Sequence, residues 1–204
     1  MSAVIRRHRV GIYAGTFDPV HAGHIAFALQ AIQEAQLDEV IFLPERQPRY
    51  KQGSEHFGHR VAMLNRAVRP HRQLKVLELT DRHFSVNRTI PQLQRRLSKA
   101  QLVFLVGSDV LQHMKDWPDI EKLLAASELA VGVRGETPPA VVETQLNLLP
   151  LLPLRNYVIQ SHVPTASSGQ VRAALRRRIS ATGCLPSVQR YALRNWLYTS
   201  VLSV

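Results

Sequence analysis

The chain has 204 residues, 45% of them hydrophobic, which is enough to bury the core of one domain and too much for a disordered segment. Lysine and arginine total 26 against 15 acids, a net charge of +11 that favours anionic partners without naming the anion. Cys184 stands alone, which excludes a disulfide-stapled miniprotein, and no apolar window approaches the roughly 18 residues needed to cross a bilayer. The basic start, Met1 to Arg9, has no hydrophobic stretch or cleavage site behind it, so a cytoplasmic setting is expected. Only five of the 26 cationic residues are lysine, and arginine's fixed fork of donors suits bidentate contact with phosphate or carboxylate.

Apolar runs rich in valine and isoleucine recur along the chain: Val10 to Ala14, Val40 to Leu43, Leu74 to Leu79, Leu102 to Val106, Leu129 to Val133 and Tyr157 to Ile159. Most are uninterrupted, as strands buried on both faces are. Between them lie residues at helical spacing, such as Ile25, Leu29 and Ile32, then Val61, Leu64 and Val68, then Leu93 and Leu97. The alternation predicts an α/β fold with a Rossmann-like, doubly wound parallel sheet, whose ligands bind beyond the carboxyl ends of the strands. Prolines at 138, 139, 150 and 153 make Gly135 to Pro153 read as a surface connection. Residues Ser187 to Tyr198 predict a last helix packed on the sheet, with Trp196 in the core. Residues 1–204 read as a single domain with a helical C-terminal part from about residue 165.

The first strand runs into Gly15-Thr16-Phe17-Asp18-Pro19-Val20-His21-Ala22-Gly23-His24, after which a helical pattern begins. Gly15 permits a tight turn and close approach of a ligand, Pro19 stiffens the loop, and Gly23 leaves room beside the opening helical turn. The N-terminus of a helix attracts anions, and histidines three apart can offer imidazole N–H donors from one face of that turn.

This segment resembles the H-x-G-H signature of the nucleotidyltransferase superfamily, whose members join a nucleotide to a phosphorylated small molecule and release pyrophosphate. Within it, Asp18-Pro19-Val20-His21-x-Gly23-His24 is most similar to the nicotinate and nicotinamide mononucleotide adenylyltransferases. The resemblance implies a three-layer α/β/α nucleotidyltransferase fold. Further segments follow in the family's order. Pro44 to Lys51 is similar to P-x-x-x-P-P-H-K, with Lys51 matching the final basic residue. Gly107-Ser108-Asp109 is like the family's G-x-D, where the aspartate helps hold the nucleotide. Trp117 stands where the family's tryptophan flanks the pyridine ring by stacking; by itself it reads as a buried structural residue. Phe84 to Ile90 keeps only Thr89 of the family's S-Y-T-x-x-T-L stretch and an apolar residue after it. Ala166-Ser167-Ser168-Gly169-Gln170-Val171-Arg172 compares with I-S-S-T-x-I-R at a helix start; Ser168 reads as the N-cap, and Arg172 sits one turn along. Ala166 and Gly169 depart from the family pattern, as do Arg49 and Tyr50.

The resemblance implies an enzyme that joins the AMP moiety of ATP to nicotinate mononucleotide, giving deamido-NAD and pyrophosphate. His21, His24 and Arg172 are the expected catalytic residues. The nucleotide is expected to contact Gly15, Thr16, Phe17, Gly107, Asp109, Ser167 and Ser168, and the acceptor Lys51, Thr89 and Trp117. Mg²⁺ is expected with ATP, on phosphate oxygens and water, with no protein metal cage. Arg46, Arg49, Lys51 and Arg88 would suit a nicotinate carboxylate. Another phosphorylated acceptor, nicotinamide mononucleotide first, remains the alternative, followed by a nucleic-acid-binding protein on the same frame. For that last reading, Arg95-Arg96 and Arg176-Arg177-Arg178 are tight basic clusters within helical stretches, and neither has interleaved aromatics.

Overall fold

A computed structural model describes residues 7–48, 53–133, 138–160, 166–180 and 182–199. In chain order its elements are β1 (His8–Gly15), α1 (Ala22–Glu34), β2 (Glu39–Pro44), α2 (Phe57–Val68), β3 (Leu74–Val76), α3 (Val86–Arg96) and β4 (Ala100–Gly107). There follow α4 (Ser108–Met114), α5 (Ile120–Ala126), β5 (Glu128–Val133), α6 (Pro139–Asn147), β6 (Asn156–Gln160), α7 (Ser168–Arg176) and α8 (Pro186–Arg194). Each predicted strand is present, although the third is confined to Leu74–Val76.

All strand pairs are parallel, in the order β3-β2-β1-β4-β5-β6, with Ile12 opposite Ile41 on one side and Phe104 on the other. The chain reverses its direction of travel across the sheet between β1 and β4, and this topological switch opens a crevice above their carboxyl ends. Successive strand residues face opposite layers. Tyr13, Phe42, Val103 and Leu105 pack with residues of α1, α2, α7 and α8, whereas Val10, Ile12, Phe104 and Val131 pack with residues of α3, α4, α5 and α6. The result is a three-layer α/β/α arrangement.

Two expectations are corrected. The proline-bearing stretch is not merely a connection: α6 occupies Pro139–Asn147 and buries Val142 and Leu146. Pro138 and Pro139 stand at the N-cap and first turn, where a missing N–H costs nothing, so they start the helix rather than forbid it. Trp196 is not in the core. The last helix ends at Arg194, and Trp196 adopts φ 54°, which leaves its side chain 65% exposed with the Arg178 guanidinium 4.3 Å from the ring centroid. Leu197 and Tyr198 are the buried residues of that turn. Among the described residues no helix is long and apolar enough to cross a membrane.

Candidate active site

The loop that leaves β1 holds the first half of the site. Phe17 takes φ 49°, and the Asp18–Pro19 peptide is cis. The Phe17 ring is buried, edge-on to Tyr13 at 5.5 Å and to His24 at 5.2 Å, so of this residue only the backbone is available to a ligand. Thr16 is also buried. His21 is the N-cap of α1, extended at φ −139°, and its ring lies 3.7 Å from that of His24, tilted by 33°. The His21 backbone N–H donates to Nδ1 of His24 at 3.2 Å. Because that nitrogen accepts, the proton of the neutral His24 ring belongs on Nε2, which makes Nε2 a donor. Gly23 leaves room for this packing: a Cβ there would come within 3.1 Å of the His21 imidazole, which would have to shift by a few tenths of an ångström.

The second half arrives from α7. Ser167, not Ser168, is the N-cap: its Oγ accepts from the Gln170 N–H at 3.2 Å, and the Gln170 side chain accepts in return from the Ser167 N–H at 3.0 Å. Ser168, one position further, is released from capping and donates its hydroxyl to the Pro19 carbonyl at 3.0 Å. Arg172 donates Nη1 to the Asp18 carbonyl at 2.6 Å, and the same nitrogen lies 4.0 Å from Asp18 Oδ2. A contact across 154 positions thus anchors the Arg172 guanidinium to the loop that leads into α1, three residues before His21. The Gly183 carbonyl, which accepts from the Ala22 N–H at 2.8 Å, ties the same helix start to the segment before α8.

Sequence reasoning missed the groups beneath this loop. Arg60 of α2 is 1% exposed and donates to four carbonyls: Thr16 at 2.6 Å, Glu45 at 2.8 Å, Glu55 at 2.9 Å and Arg46 at 3.0 Å. One planar fork therefore joins the loops after β1 and β2. Burial pushes the Arg60 guanidinium below its usual range, against the pull of the nearby Asp18 charge. The available signal was its position: Phe57, Arg60, Val61, Leu64 and Val68 share one helical face, so an arginine stands in an apolar stripe. Asp18, Glu55 and Tyr198 form a second hidden group, in which the Tyr198 hydroxyl donates to Asp18 Oδ1 at 2.7 Å.

A small cleft opens at the ends of β1 and β2, lined by Ala14, Pro44, Glu45, Asp81, Phe84 and Thr89 among others. Thr89 is buried and its Oγ accepts from the Ser85 N–H at 3.0 Å, so it shapes the start of α3 as well as the cleft wall. Phe84 lies 5.9 Å from Trp117, which is partly buried and packs on the second core layer beside the cleft. Gly107 and Asp109 stand across the crevice from Gly15, at the end of β4; a Cβ on Gly107 would collide with the Asp109 carboxylate. Asp109 is exposed in the first turn of α4. Arg46 is engaged, donating to the Leu79 carbonyl at 2.9 Å with its guanidinium over the Phe57 ring, and Arg88 is exposed on α3. Lys51, Arg49 and Tyr50 lie outside the described residues. Among the described residues no three His, Cys, Asp or Glu side chains converge as metal ligands.

A doubly wound sheet with donors gathered at its switch point defines a nucleotide-binding α/β protein. The model of the cytidylyltransferase-like family matches residues 12–178. Nicotinate-nucleotide adenylyltransferase of Bacillus subtilis is 30% identical over 200 residues, covering 94% of this chain and 99% of its own. A probable nicotinate-nucleotide adenylyltransferase of Thermomicrobium roseum is 32% identical over 205 residues, with coverages of 95% and 92%. Among solved structures, nicotinic acid mononucleotide adenylyltransferase of Plasmodium falciparum complexed with NaAD matches with a TM-score of 0.77. It is 18% identical over 94% of this chain and 97% of its own, a likeness of fold. The chain belongs to the cytidylyltransferase-like family and, within it, to the nicotinate-nucleotide adenylyltransferases.

Proposed function

We propose that this protein transfers the adenylyl group of ATP to nicotinate mononucleotide, forming deamido-NAD and pyrophosphate. The observation that carries the reading is that one loop, from Asp18 to His24, holds the His21–His24 imidazole pair at the start of α1 and binds Arg172 from 154 residues away through the Asp18 carbonyl. A phosphate oxygen of the mononucleotide attacks the α-phosphorus of ATP in line. The new P–O bond forms as the bond to the bridging oxygen breaks, and pyrophosphate departs with that electron pair. The attacking phosphate is already anionic, so no general base and no covalent enzyme intermediate are needed. The protein's part is alignment and the stabilisation of charge gathering on the phosphoryl oxygens. His24 Nε2, His21 and Arg172 are assigned to those oxygens, with the backbone of Gly15, Thr16 and Phe17 and the Ser167–Ser168 turn as supporting donors.

The groups around α1 and α7 are donors and cations, and the two Asp18 oxygens already accept from Tyr198 and Glu55. Such groups would hold the ATP phosphates rather than a bare cation, so Mg²⁺ would be carried by the ATP and would supply charge neutralisation for the leaving pyrophosphate. Gly107 and Asp109 are assigned to the nucleotide, and Thr89, which lines the cleft at the ends of β1 and β2, to the acceptor together with Trp117 and Lys51. Residues 1–204 act as one domain in this reading, supported by the core that the first strands share with α7 and α8. A cytoplasmic location, where ATP is available and the lone Cys184 stays reduced, goes with it.

A second acceptor, nicotinamide mononucleotide, is favoured by one feature: Glu45 and Asp81 line the cleft, and acidic residues suit a pyridinium bearing an uncharged carboxamide better than one bearing a carboxylate. The test is pyrophosphate release from ATP and Mg²⁺ with nicotinate mononucleotide, nicotinamide mononucleotide, glycerol phosphate or phosphopantetheine. The reading expects nicotinate mononucleotide to give the highest kcat/KM. Release with neither pyridine mononucleotide contradicts it.

A further inference from the structure

Asp18 is a buried carboxylate to which adenylyl transfer gives no part. It is 5% exposed in the loop that carries the imidazole pair, and an ionised group so placed needs partners to offset its lost hydration. Its partners come from far along the chain. The Tyr198 hydroxyl donates to Oδ1 at 2.7 Å across 180 residues, and the Tyr198 backbone N–H donates to Glu55 Oε1 at 3.0 Å. The Glu55 N–H donates in turn to Asp18 Oδ2 at 3.4 Å. On the other side, Arg172 holds the Asp18 carbonyl at 2.6 Å and approaches Oδ2 at 4.0 Å. Asp18 therefore links the turn after α8 to Arg172 and the start of α1.

The Tyr198 ring is a member of the core that joins α2, α7 and α8, and a phenylalanine would fill the same space. The hydroxyl is what the core does not require. Burial, then the neighbouring Asp18 charge, push the Tyr198 hydroxyl far above its usual range, so it remains a proton donor wherever the protein is folded.

We propose that Tyr198 is a positioning residue for adenylyl transfer, its hydroxyl fixing Asp18 so that Arg172 is aimed at the phosphoryl group that the His21–His24 pair meets. The inference rests on the adenylyltransferase reading, in which Arg172 meets the reacting phosphates. Alignment of this kind acts on the transition state more than on ground-state binding, so its loss falls on kcat rather than on KM.

The experiment compares wild type, Y198F, R172A and the double variant in steady-state pyrophosphate release, well below the melting temperature of each. Y198F is expected to lower kcat about tenfold, the scale of outer-shell positioning groups, with both KM values within about twofold of wild type. In the R172A background the same substitution is expected to change kcat less than about twofold, because the residue through which it acts is gone. An unchanged kcat in Y198F, a loss confined to KM, or an equal factor in both backgrounds overturns the inference; a purely structural role moves melting temperature and leaves kcat per folded molecule alone. Should Y198F not fold, D18A takes its place, removing the acceptor through which the Tyr198 hydroxyl acts while leaving the backbone carbonyl that holds Arg172. The same non-additivity with R172A is expected, and additivity overturns the inference. A wild type that releases no pyrophosphate removes the enzymatic reading and this inference together, whereas an active wild type matched by Y198F removes the inference alone.

Discussion

His24 takes its role from its surroundings: Nδ1 is engaged by the His21 N–H, and Phe17 braces the ring edge-on. Replacement by alanine removes one donor from the developing phosphoryl charge, so His24→Ala should lower kcat by about 10²–10³ while circular dichroism stays native. Near-normal turnover would take that residue out of the mechanism. Gly169 leads to a different expectation. Its Cβ would meet only Ser167 Oγ at 3.7 Å and Arg172 Nη2 at 4.0 Å, ordinary contacts, and it lies in the exposed first turn of α7. Gly169→Ala should therefore stabilise the protein by about 0.5–1 kcal/mol through reduced unfolded-state entropy, visible as a raised melting temperature. At this scale the motif residues were legible in the sequence because a glycine, a proline and two histidines at fixed spacing leave few alternatives. Arg60 and Tyr198 were not, since their partners are backbone carbonyls and a carboxylate brought near only by the finished fold.

At the scale of elements, the opposite end of the sheet carries a polar lock between β1, β5 and β6. Arg9 donates to both oxygens of Glu128, at 3.0 and 2.7 Å, and Tyr157 adds its hydroxyl to Glu128 at 2.8 Å. Burial opposes ionisation of Glu128, yet the hydrogen bonds from Arg9 and Tyr157 outweigh it and hold its carboxyl below the usual range. With the folded value below the unfolded one, the stabilisation is complete above the ordinary carboxylate value and is lost as pH falls through the folded value. Glu128→Gln should cost about 2–3 kcal/mol at neutral pH, because it leaves Arg9 without its counter-charge. Urea unfolding should show the gap from wild type narrowing below about pH 4.5; a gap that stays constant into acid would refute the lock. Strands were legible as valine and isoleucine runs, since burial on both faces leaves no polar alternation. Helix α6 was not: proline breaks an interior turn but opens a first one, and composition alone does not distinguish the two. The last helix was legible, but not that its chain turns left-handed at Trp196 and sends that ring outward.

At the scale of the molecule, strand order brings Gly15 and Gly107 to either side of one crevice, and α7 closes over it from the far end of the chain. Charge is distributed to match. The last acid is Glu143, and residues 144–204 hold seven arginines and none, so the part of the chain that delivers Arg172 is wholly cationic. Both substrates are anions, and a field of this sign raises their encounter rate. Raising ionic strength from about 0.02 M to about 0.3 M should lower kcat/KM several-fold while kcat changes little; equal loss in both would point to the chemical step instead. The central claim, that these donors join an adenylyl group to a pyridine mononucleotide, is tested most directly by product identity. Purified protein with ATP, Mg²⁺ and nicotinate mononucleotide should yield deamido-NAD and pyrophosphate in equal amounts, resolved by chromatography and mass. Pyrophosphate without the dinucleotide, or neither product from folded protein, would contradict it.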